Sequence, residues 1–183
     1  MKQPAYKFFL VGMGVAGLEE FITQGVLKDN WGGWIIPTII AFLPFLILLR
    51  VISTFLEKRV AEWKAVLGYY AVAGSIGLIF EWFVIGLNPW SDPNLLQIPF
   101  QLGMFSFWGA VAFAPRLLLD DRGPFVRVRR NYRNALFLGM AAIYFLAFTV
   151  PKDAQFLAVI AAVLFLFIFL NRFYFAYIRI LKC

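Results

Sequence analysis

From residue 6 to residue 177 the chain is a succession of six apolar runs broken by short polar turns, and this pattern decides which solvent governs its folding. A hydrocarbon core of about 30 Å is crossed by about 20 helical residues. The runs 6–27, 34–55, 66–87, 95–118, 135–150 and 156–177 are of that order, the fifth being the shortest. They are unbroken rather than alternating, which predicts helices and not the strands of a barrel. The composition agrees: 62% of the 183 residues are hydrophobic and only 15% charged, more apolar surface than a water-soluble domain of this size can hide. The expected fold class is all-α: one polytopic membrane domain over residues 1–183, without a soluble appendage.

Lys and Arg set the expected orientation. Lys2, Lys7, Arg50, Lys58, Arg59, Lys64, Arg116, Arg122, Arg127, Arg129, Arg130, Arg133, Arg172, Arg179 and Lys182 fall on one side, against Lys28 and Lys152 on the other. By the positive-inside rule both termini are cytoplasmic, in a multi-pass protein of a prokaryotic type of cytoplasmic membrane. The net charge of +7 then reads as topology and contact with anionic lipid headgroups. Arg127-Val128-Arg129-Arg130 reads as a juxtamembrane basic loop, and nucleic acid is not an expected partner. Trp31, Trp34 and Trp90 outside, with Tyr174 and Tyr177 inside, fit interfacial belts. The chain has no His, and its lone Cys is Cys183, so an internal disulfide is excluded and no metal or other cofactor is expected.

Two acids interrupt the apolar runs. Sliding the chain by 61 residues lays Glu20-Phe-Ile-Thr-Gln-Gly-Val26 over Glu81-Trp-Phe-Val-Ile-Gly-Leu87, matching acid with acid and Gly25 with Gly86. Ile36-Pro37 and Ile98-Pro99 follow at a slightly larger offset. The match predicts a duplicated two-helix hairpin over 14–59 and 74–122, with a third hairpin at 133–180. Glu20 and Glu81 then lie at equal depth, toward the outer face. A carboxylate near the bilayer centre costs about 2.5–3.5 kcal/mol on insertion scales, so both should face the bundle interior. Glu19 points about 100° away from Glu20 around the helix. Thr23, Gln24, Gln97, Gln101 and Thr38 are at similar height and complete an expected polar pocket, beside the rings of Phe21, Trp82 and Phe105. An internal polar contact that holds helices together fits the same residues.

The series Glu81, Gly86, Trp90, Ile98-Pro99, Phe105-Ser-Phe107 resembles the repeated domain of the small polytopic lycopene cyclases of the heterodimeric and fungal type, over roughly residues 74–110 and more faintly 14–50. In that family a Pro-x-Glu-Glu motif follows, where this chain has Pro99-Phe-Gln-Leu-Gly103 and Pro37-Thr-Ile-Ile-Ala41. The resemblance implies the architecture before the reaction. It also implies roles for Glu20 and Glu81 as proton donor and cation stabiliser toward an isoprenoid. Three functions from different classes fit the residues: binding or chemistry on an isoprenoid or other lipid, proton-coupled or ion transport, and a structural or assembly subunit with a protein partner or a second copy.

Overall fold

The computed structural model describes residues 4–26, 30–91, 93, 97–154, 157, 161, 164–165 and 169–183. It is all-helical, and no strand occurs among the described residues. Helix α1 is Ala5–Glu20, extended by a wide π-helical stretch Phe21–Val26. Helix α2 is Ile35–Glu57, α3 is Glu62–Ile85, and α4 is Gln97–Leu118. A 3-10 turn, Gly123–Phe125, leads into α5, Val126–Thr149, and the chain closes with α6, Leu170–Lys182. By length and composition α2, α3 and the helical segment Gly123–Thr149 can cross a membrane. The sixth expected run, 156–177, falls in large part outside the described residues.

Helix α4 is the centre of the bundle, and its sequence explains why. Every residue from 107 to 117 is buried, as expected of a helix that is apolar on all sides. It packs on α1, α3, α5 and α6. One core group joins Phe8, Phe42, Phe45, Leu46, Tyr69 and Trp108. The other joins Phe113, Leu117, Phe125, Tyr132, Tyr174 and Tyr177. The outer faces carry the rest of the apolar residues: Ile40 on α2, Phe83 on α3 and Leu138 on α5 are 68%, 73% and 72% exposed. Such surfaces are stable against hydrocarbon and unstable against water.

Two expectations need correction. The basic run at Arg127–Arg133 is not a loop: it forms the first two turns of α5, which begins at Val126, well before the apolar run starts. Tyr174 and Tyr177 are not interfacial anchors but core residues, 2% and 0% exposed. On a helix as two-faced as α6, a tyrosine near the polar end can point inward, where its hydroxyl finds a partner: Tyr174 donates to the Val66 carbonyl at 3.3 Å.

The glycines matched by the 61-residue shift do different things. Gly86 ends α3 in the left-handed conformation, φ 86°, a state that costs an L-residue with a Cβ about 1–2 kcal/mol. Its N–H, and that of Leu87 at 2.9 Å, both return to the Glu81 carbonyl, closing the helix end. Gly25 stays inside the π-helical stretch of the first copy.

Candidate functional site

Glu81 sits where α3 changes from α to π winding. Its N–H reaches the carbonyls of both Gly77 and Leu78, and residues 81–85 follow with the wider spacing. Helix α1 changes over one residue later relative to its acid: Glu20 is its last α residue, and the Phe21 N–H reaches Gly17 and Leu18. Short π stretches within helices are rare and concentrate at functional sites.

The partner of Glu81 is Trp108 on α4. Its indole Nε1 donates to Glu81 Oε1 at 3.0 Å, and the two residues are 2% and 7% exposed. Gly77, one turn before Glu81 on the same face, makes this possible: a Cβ there would collide with Trp108 Cγ, so the ring can lie against the α3 backbone only because Gly77 has none. Other rings then close around the indole. Phe42 stacks at 4.9 Å, and Phe45, Phe80 and Phe107 meet it edge-on at 4.7, 5.7 and 5.8 Å.

Glu20, whose Oε2 is buried, is within electrostatic range of Glu81. The 61-residue shift predicts equal depth for the two acids. The rest of the expected pocket does not gather on them. The Trp82 indole donates to Gln101 Oε1 at 2.6 Å, and the Gln101 amide donates to Gln97 Oε1 and to the Leu87 carbonyl, each at 3.3 Å. Trp82, Gln97 and Gln101 thus form a separate polar group that satisfies the end of α3, with Trp90 against Trp82 at 5.5 Å. Phe105 packs on Tyr70 and against Gly74. Phe21 is the hub of another ring group with Trp31, Trp34 and Tyr144. The Gln24 carbonyl accepts from the Asn30 N–H at 2.9 Å, and the Thr38 hydroxyl donates to the Trp34 carbonyl at 2.7 Å. The side chains of Glu19 and Thr23 lie outside the described residues.

Trp108 escaped the sequence reading because it lies 27 residues from Glu81, on the next helix. The available signal was the pair Gly77 and Glu81, four apart: a bare backbone patch under an acid is a seat for a large ring.

A second polar cluster, at the other end of α3, was missed entirely. Arg116, 4% exposed, bonds Glu57 Oε1 at 2.6 Å and Ser53 Oγ at 3.1 Å through Nη1, and its Nη2 is 3.5 Å from Glu62. Arg122 grips both Glu62 oxygens at 2.8 Å and Asp120 Oδ2 at 2.7 Å. The Tyr177 hydroxyl donates to Asp120 Oδ2 at 2.6 Å. The cluster ties α2, α3, α4 and α6 together through residues about 60 positions apart, a separation at which pairing has no periodic signature.

Burial alone would push the Asp120 carboxyl up. Hydrogen bonds from the Arg122 side chain, the Tyr177 hydroxyl and the Arg122 backbone N–H, with the Arg122 charge, outweigh it and hold Asp120 below its usual range. Its contribution to stability is therefore full above the unfolded-state value of about 3.9 and is lost as pH falls through the lower folded-state value. Asp120→Asn should destabilise the protein at neutral pH by about 1.5–3 kcal/mol, the range for hydrogen bonds to a charged group. It should also flatten the acid limb of stability. Thermal unfolding in detergent from pH 7 to pH 3 checks both; an acid limb as steep as that of wild type would contradict them.

No family model, curated protein or solved structure matches the chain. No cluster of three or more His, Cys, Asp or Glu side chains suited to a metal ion occurs among the described residues.

Proposed function

We propose that this chain is a six-span integral membrane protein with both termini cytoplasmic, and that Glu20 and Glu81 form a proton-carrying site for an isoprenoid or similar apolar lipid. The observation that supports the reading is the buried Glu81 carboxyl, seated on the Trp108 indole within a group of rings, with Glu20 in electrostatic range. The duplicated hairpin is supported by an α-to-π changeover within one residue of each acid.

Two carboxyls close together and away from water do not both ionise; they share a proton. One is then an acid and the other its counter-charge. The acid's O–H proton adds to an alkene carbon, whose π pair becomes the new C–H bond. The cation left on the neighbouring carbon is balanced by the other carboxylate, the counter-charge of the pair. A carboxylate then removes a proton from an adjacent carbon, which restores a double bond and the proton count of the pair. A substrate dissolved in the bilayer suits the surroundings: Phe83, Val84 and Ile85, directly after Glu81, are 73%, 64% and 54% exposed.

The test is to purify wild type and Glu81→Gln from the native membrane and compare the extracted lipids by mass spectrometry. A specific isoprenoid enriched with wild type, and lost or altered in structure with the variant, is the expected result. Bulk phospholipid alone in both samples would overturn the reading.

A further inference from the structure

Among the described residues, every acid at the Arg116 end of the bundle except the exposed Asp121 is consumed internally. Glu57 and Glu62 hold Arg116, while Glu62 and Asp120 hold Arg122. Beside them, α5 opens with Arg127, Arg129, Arg130 and Arg133, and none of these is in an ion pair among the described residues. Their placement is unfavourable for an isolated helix. They stand at the positive end of the helix dipole, the first turn holds no acid, and the spacings 127/130, 130/133 and 129/133 set like charges side by side. Arg127, Arg130 and Arg133 are all exposed.

One turn beyond Arg133 the same helix exposes Phe137 and Leu138, 66% and 72%, and farther on Phe145 and Phe148. The Phe125–Tyr177 contact at 4.6 Å brings the C-terminal half of α6, with exposed Arg179, to this end. A row of uncompensated guanidiniums directly beside an apolar band is the arrangement that a phosphate layer over hydrocarbon neutralises.

We infer that Arg127, Arg130 and Arg133, with Arg179, form a binding surface for the phosphate groups of anionic phospholipids in the adjoining leaflet. Guanidiniums grip phosphate oxygens in pairs, and the negative charge offsets both the helix dipole and the crowding of arginines. The inference rests on the membrane-spanning reading of α5 and is independent of any chemistry at Glu20 and Glu81.

The experiment compares thermal unfolding of the purified protein with phosphatidylglycerol or phosphatidylcholine added at equal mole fraction, and counts retained lipids by native mass spectrometry. Wild type should retain phosphatidylglycerol with a preference of about tenfold or more, given the roughly fivefold contribution of each basic residue near an anionic surface. High salt should remove the preference. The triple variant R127Q/R130Q/R133Q should lose most of it while responding to phosphatidylcholine as wild type does, which also shows that the variant is folded. Equal retention of both lipids by wild type, an unchanged preference in the triple variant, or equal stabilisation by inorganic phosphate or an oligonucleotide would overturn the assignment. If the triple variant does not fold, wild type with and without salt decides alone: a salt-resistant preference counts against the surface.

Discussion

Arg116→Met will lower the stability of the folded protein by about 1.5–3 kcal/mol, the range for hydrogen bonds to a charged group. The guanidinium is 4% exposed, and its 2.6 Å bond to Glu57 joins α4 to α2. Methionine fills similar space but removes the donor to Glu57, which keeps the hydrogen bond from the Ser53 hydroxyl at 3.1 Å. The companion variant Arg116→Met with Glu57→Gln should recover most of the loss, because removing both charges removes the need for either. Glu62 is expected to tolerate the change, since Arg122 still holds both of its oxygens. Thermal unfolding of the single and double variants in one detergent measures the coupling. If the double variant is no better than the single, the contribution of Arg116 is packing rather than charge.

Trp108→Ala is expected to have a larger effect, for a different reason. It deletes a ring that is 2% exposed and touches Phe42, Phe45, Phe80 and Phe107, and large aromatic deletions in cores cost about 3–5 kcal/mol. It also removes the N–H that Glu81 accepts. Trp108→Phe separates the two contributions: it keeps most of the ring contacts and loses the donor, so it should cost about 1.5–3 kcal/mol, the range for a hydrogen bond to a charged partner. Under the proposed function, Trp108→Phe should alter lipid retention more than its small stability loss accounts for. Retention equal to wild type, together with a normal unfolding temperature, would show that the indole N–H is not part of the site.

The acids show how far a sequence alone can lead. Glu20 and Glu81 stand out because a carboxylate in an apolar helix is costly, and a 61-residue shift pairs them; the structure puts Glu20 within electrostatic range of Glu81. The glutamines were legible as polar but not by destination. Gln101 turns to Trp82 and the end of α3. Which way a residue faces around a helix depends on which neighbours cover it, and a local change to π winding shifts the count. Arg116 illustrates the opposite error. Read as a marker of orientation, it is buried in an ion pair that periodicity does not reveal.

The helical class, the presence of helices long and apolar enough to cross a membrane, and the approximate ends of α1 to α4 follow from the sequence by itself, because apolar length and the pairing of backbone groups within a segment are local properties. The tertiary structure alone decided that α4 is the central helix and that Trp108 is seated on Gly77 beneath Glu81. It also decided that the charges at the other end of α3 pair among themselves. Those outcomes depend on contacts between helices, where the shape of one surface selects its partner and no single segment carries the information.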